Sequence, residues 1–243
     1  SSDGLIVLWD ASCGFTVVAQ ENTFPELPTT PGPSGSTPPF YPFSTIDDRL
    51  AINDAGQYVF SGVDSRSGTT DDGYVVKWNG TAFELIAQEG VTEFPVAGFD
   101  VRLGSPRGSV NISQSGLVGF RAGLTGSGVT TGTDTALFAD NGATLLAQEG
   151  VTGPSGAQDG FGTPISVPFK AFDSGTVNTG FSMSSDHQNW VATGTIDAST
   201  TNPPTSGVDE VLVRSTEAGS EVVIQENVVL AGTTFVSTTD NIS

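Results

Sequence analysis

Residues 73–90 read Gly-Tyr-Val-Val-Lys-Trp-Asn-Gly-Thr-Ala-Phe-Glu-Leu-Ile-Ala-Gln-Glu-Gly. Two apolar runs, 74–78 and 82–87, flank Asn79-Gly80. Asn and Gly both tolerate the positive φ that a type I′ turn demands, so the stretch predicts a β-hairpin. It closes on Gln88-Glu89, and the same plan returns three times. Asn141-Gly142 lies between 136–138 and 144–147, and that copy closes on Gln148-Glu149. An N-terminal copy turns through 11–14 and closes on Gln20-Glu21. A C-terminal copy turns through 216–219 and closes on Gln225-Glu226. Self-similarity of this kind is the signature of a repeat architecture.

A second kind of hairpin precedes three of these copies. In the first, strand 50–53 and strand 57–60 flank a turn at Asp54-Ala55-Gly56, with Asn53, Gly56 and Phe60 as its markers. The next copy spans 110–120 and keeps Gly116 and Phe120, with Ser113 in place of Asn. A diverged third copy places Ser184, His187 and Val191 at these positions. Together the two hairpins form units over 50–89, 110–149 and 182–226, the last with an insertion at 197–206. Four strands in about 40–45 residues is the size of a propeller blade. The expectation is therefore an all-β, β-propeller-like set of four-stranded antiparallel sheets in one domain, 1–243. Connections between units are longer than ordinary blade links, which leaves an open stack or sandwich as the alternative. The Pro-rich stretch 22–43 reads as irregular chain, either an exposed linker or, the preferred reading, a loop pinned by Phe40, Tyr41 and Phe43. An orphan hairpin, 4–21, starts the chain, and a stub, 240–243, lines up with 110–113.

Asn53, Gly56 and Phe60 spell Asn-x-x-Gly-x-x-x-Phe. The chain resembles bacterial surface proteins built from tandem repeats of that motif, and its Ala-Gln-Glu-Gly strand ends, 87–90 and 147–150, also look like that family. The resemblance implies an exported, surface-anchored, propeller-like protein without a known catalytic site.

Composition restricts the partners. Lys plus Arg number 8 against 27 acids, a formal net charge of −19. The eight cations are dispersed, so neither nucleic acid nor an anionic membrane surface is expected as a partner. No apolar run approaches the roughly 20 residues of a spanning helix. Cys13 is the single cysteine, which excludes an intramolecular disulfide. Acidity and cysteine poverty point to an extracellular bacterial protein.

Chemistry is sparse. His187 is the only histidine and falls on a turn, where it reads as a turn residue rather than a base. The Gln-Glu pairs read as structural: a fold-wide repeat marks fold maintenance more often than catalysis. Calcium is the one credible ion, through Asp47-Asp48, Asp71-Asp72 or Asp209-Glu210, although none sits in a known calcium-loop pattern. Trp9, Trp78 and Trp190 are candidate glycan platforms; the first two share a hairpin position, which favours core packing. Tyr58, Phe60, Phe120, Leu146, Ile86 and Trp78 are expected to be buried between stacked sheets. These features predict a non-enzymatic extracellular structural protein that joins copies of itself end to end as a fibre or layer. The alternative is a surface-anchored propeller that binds glycan or another surface protein.

Overall fold

A computed structural model describes residues 5–12, 14–21, 43–64, 70–94, 101–103, 109–158, 163–172, 180–197 and 209–226. Phe40, Tyr41, Cys13, most of the insertion and the C-terminal stub lie outside these residues. The described residues form antiparallel β-sheets, with a single 3-10 turn at Asp140–Gly142 and no α-helix. Strands β1 (Leu5–Asp10) and β2 (Gly14–Gln20) make the N-terminal hairpin. The first four-stranded sheet is β3 (Phe43–Ile52), β4 (Tyr58–Asp64), β5 (Gly73–Trp78) and β6 (Phe83–Gln88). The second holds β7 (Glu93–Phe94), β8 (Val101–Leu103), β9 (Val110–Ile112), β10 (Val118–Gly126), β11 (Thr135–Ala139) and β12 (Thr144–Gln148). The third holds β13 (Phe169–Ala171), β14 (Phe181–Met183), β15 (Trp190–Ile196), β16 (Glu210–Thr216) and β17 (Gly219–Gln225).

The long connections are not plain loops. Strand β8 pairs with the far end of β10, at Leu103↔Leu124, while β9 pairs with its near end at Ile112↔Val118. Strands β13 and β14 divide β15 in the same way. In the first sheet one strand, β3, does both jobs, with a register shift between Ile46 and Leu50.

Every Gln-Glu hairpin carries a bulge at the same place. Val18, Ile86, Leu146 and Val223 are the residues skipped in the four registers. A bulge adds one residue to one strand and increases the local twist. Ahead of it in the chain, the side chains keep the parity of the hairpin turn. Beyond it, Ala19, Ala87 and Ala147 point to the face that meets the following sheet.

The sheets stack so that the back of one meets the front of the next. Ile6 and Ala19 on the back of the hairpin pack with Phe43, Phe60, Val76 and Phe83 on the front of the first sheet. Val59, Val75 and Ala87 on its back pack with Val110, Val118, Phe120 and Phe138 of the second sheet. Leu137 and Ala147 behind that pack with Phe169, Ala192, Val211 and Val213 of the third. Burial of these side chains, at ~25 cal/mol per Å² of apolar surface, is what joins sheets that share no ladder hydrogen bonds.

Tyr58, Phe60 and Phe120 are buried as expected. Trp78, Ile86 and Leu146 are only half-buried, which corrects the expectation for them. Ile86 and Leu146 are bulge residues and reach only the margin of the next interface. Trp78 stacks on Tyr58 at 6.2 Å near the sheet's turn end, where the hairpin only partly covers it. Trp9 occupies the same register position, pairing with Phe15 as Trp78 pairs with Phe83, yet it is exposed. Among the described residues no sheet stands before its front face, so the core-packing expectation fails for Trp9.

Two turn readings also change. Asn141 and Gly142 take positive φ, and Ala143 N–H donates to the Asp140 carbonyl, as a type I′ turn requires. At the first copy only Gly80 is positive. There Asn79 Oδ1 accepts from the N–H groups of Thr81 and Ala82, an Asx turn that replaces the expected geometry. In the third unit Met183 pairs with Trp190, as Ile52 pairs with Tyr58. The turn is one residue longer there, so Ala192, not Val191, stands where Phe60 and Phe120 stand.

Candidate functional site

The Gln-Glu pairs close the sheets. The Gln88 side chain is buried and donates to the Asp71 carbonyl at 2.9 Å; Gln148 donates to the Thr133 carbonyl at 3.0 Å. Gln225 both donates to the Gln158 carbonyl and accepts its N–H. The next N–H extends the ladder: Glu89 to Gly73, Glu149 to Thr135 and Glu226 to Glu210. Glu149 and Glu226 are buried and Glu89 is half-buried. In the N-terminal copy Gln20 and Glu21 are half-buried, and Glu21 accepts from the Ile46 N–H at 3.4 Å.

Sequence reading missed the rest of this corner. Thr92 and Thr152 hydroxyls accept the N–H of Gln88 and Gln148, and their own N–H groups return to the same residues' carbonyls. Gly90 and Gly150 take positive φ, and a Cβ there would lie 2.4 and 2.2 Å from the carbonyls of Thr70 and Gly132. The recurrence of Gln-Glu-Gly-Val-Thr at 88–92 and 148–152 was the signal available.

The turns of the second hairpins lie against one another. Asn53 Oδ1 accepts the N–H groups of Ala55 and Gln57 and closes its own loop. The Ser113 and Ser184 hydroxyls close theirs by accepting from Leu117 and Asn189. That is why Ser replaces Asn in two copies. Across sheets, Asn53 Nδ2 donates to the Ser113 carbonyl at 2.9 Å, Gln114 amide to Asp54 Oδ2, and Gln114 N–H to the Ser185 carbonyl. Gly56 and Gly116 take the positive φ their turns need. Phe60 and Phe120 sit two residues into the following strands, fully buried.

His187 takes φ +59, so it occupies the turn as expected of a Gly substitute. Unexpectedly its ring is buried, neither nitrogen has a hydrogen-bond partner, and Nδ1 lies 3.8 Å from Asp140 of the preceding sheet. Burial lowers its pKa, against the opposing pull of Asp140. Glu149 shifts the other way. Burial, and then a hydrogen bond to Asp134, push its carboxyl up to about 7. These are acid–base groups held inside sheet contacts.

Of the candidate calcium acids, the side chains of Asp47 and Asp48 lie outside the described residues. Among the described residues no three His, Cys, Asp or Glu side chains converge to hold a metal ion. A cleft of about 320 Å³ opens on the back of the third sheet, lined by Met183, Trp190, Val191 and Arg214 among others. At the equivalent place on the first sheet, Lys77 donates to the Gly116 carbonyl of the next sheet.

Residues 37–223, more than half of the chain, match a family described as Family of unknown function (DUF7453). The chain belongs to this family. The match takes in the three large sheets almost entirely and leaves out the hairpin β1–β2. No curated protein and no solved structure matches the chain.

Proposed function

We propose that the chain is a non-enzymatic structural repeat protein of the bacterial exterior, with its sheets fanned in a propeller-like stack, joining copies of itself end to end. One observation carries this: the same back-on-front contact recurs three times, and the repeated polar side chains serve the fold itself. Asn53, Gln88, Gln148 and Gln225 all bond backbone groups of loops. Recurrent polar groups that serve the chain's own backbone are occupied with maintaining the fold. Strands β3 and β9, and β9 and β14, touch across sheets, which supports fanning about the first strands. The charge of −19 supports an exterior setting without nucleic acid or anionic membrane as partner. Electron microscopy of the purified chain tests the reading, with filaments or layers as the expected result. A monodisperse monomer by light scattering at high concentration would refute it.

A second reading, a surface module that holds glycan, rests on Trp9, which is 62% exposed beside a still more open Phe15. Aromatic faces of this kind suit sugar rings. Glycan-array binding abolished by Trp9→Ala, with the sheets still folded, would put this reading first.

A further inference from the structure

Three sheet contacts in this molecule follow one rule, and among the described residues the two outermost faces have no sheet against them. The front of the hairpin presents Leu5, Val7, Trp9, Phe15 and Val17, all exposed, with Phe15 at 79%. The register Trp9↔Phe15 and Val7↔Val17 matches Trp78↔Phe83 and Val76↔Leu85 in the first sheet. There, the corresponding Val76 and Phe83 are buried by the back of the hairpin. So the hairpin front is a surface of the kind that is elsewhere covered by the back of a preceding sheet.

At the other end, the back of the third sheet repeats the backs of the first two. Val191 corresponds to Val59, which is fully buried in the contact between first and second sheets, but Val191 is 43% exposed. The bulge residue Val223 is 36% exposed, whereas its counterparts Ile86 and Leu146 pack against the next sheet's core. Even the ion pair recurs. Lys77–Glu84 on the first sheet's back meets the next sheet through Gly116, and Arg214–Glu221 holds the same cross-strand position with nothing beyond it among the described residues.

We infer that the back of the third sheet docks on the hairpin front of a second copy of this chain, continuing the internal stacking between molecules. The inference rests on the structural-assembly reading above and specifies how that assembly is made: by faces, not by ladder pairing at strand edges. The contact is heterologous, so copies add head to tail and form filaments unless the rotation closes a ring. A face of five exposed apolar side chains is large enough to mark an interaction surface. Because each copy carries −19, repulsion opposes docking until salt screens it. At physiological ionic strength the screening length is about 8 Å, so assembly strengthens as salt rises toward that range.

Sedimentation velocity at about 0.15 M salt tests this with two single variants of the full chain. Phe15→Asp blocks the front and leaves the back intact; Val191→Asp does the reverse. Both sites are exposed, and circular dichroism checks that the sheets persist. If either Asp variant loses its sheets, Phe15→Ser and Val191→Ser take its place. The wild-type chain is expected to grow in mass with concentration. Each variant alone is expected to stay monomeric, and an equal mixture to give a two-chain species that does not extend. If wild type assembles and both variants assemble equally well, the stacking mode is wrong while the assembly reading stands. Dimers of Val191→Asp alone would mean front-on-front docking and would also overturn it. A wild-type monomer at every concentration overturns both.

Discussion

Glu149 and His187 show how much a repeat position depends on its surroundings. Glu89 and Glu149 are equivalent in the sequence, but Glu149 is buried against Asp134 and holds its proton up to about pH 7. The unfolded carboxyl titrates near 4.5. Below that pH both states are protonated and the Glu149–Asp134 bond contributes in full. As pH rises through 7 the folded state is forced to ionise, and that stability is lost. Glu149→Gln keeps a donor and cannot ionise. It should leave stability near wild type at pH 4 and raise it by roughly 1–2 kcal/mol at pH 8, less than the full shift would represent because water screens part of it. Thermal melts at the two pH values check this. His187 acts in the opposite sense: burial favours its neutral form, so its contribution is present above the unfolded pKa of 6.5 and falls away in acid.

At the level of strands and turns, the glycines separate into two kinds that look alike in the chain. Gly56 has φ +74 and a Cβ there would meet nothing within 4 Å, so only the backbone conformation opposes substitution. Gly56→Ala should cost about 1 kcal/mol, the usual left-handed penalty. Gly150 has φ +68 and a Cβ there would lie 2.2 Å from a backbone carbonyl. Gly150→Ala must also displace the 132–133 loop that receives Gln148, adding roughly 1–3 kcal/mol. Urea denaturation of both variants gives the comparison; equal midpoints would mean the corner yields more easily than its geometry implies. The apolar bulge residues make a related point. Their recurrence was visible, but which interface each reached was not.

Across the whole molecule, the second sheet alone among the large sheets has a large sheet on each face: the first before it and the third behind. In a quasi-one-dimensional stack, stability is the sum of each sheet and its neighbour contacts. Amide exchange should therefore be slowest in β10 and β11 and fastest in β1–β2, whose front is uncovered among the described residues. Exchange mass spectrometry resolves these peptides. Equal protection in the hairpin would show that something covers its front.

The all-β class, the four Gln-Glu hairpins and the turns at Gly56 and Gly116 were legible from residues alone. Short-range turn chemistry and strand alternation act within a few residues, so the local sequence carries them. The strands inside the long connections were not legible. β8 and β13 are three residues each and exist because β10 and β15 offer free edges to pair with. The third-unit register escapes sequence reading because one added turn residue moves every later side chain to the other face, and only pairing with Met183 reveals it. Nor could the chain say that Trp9 and Trp78, identical in register, differ in burial. That is decided by whether a neighbouring sheet stands in front of them, which is a property of the stack and of no residue within it.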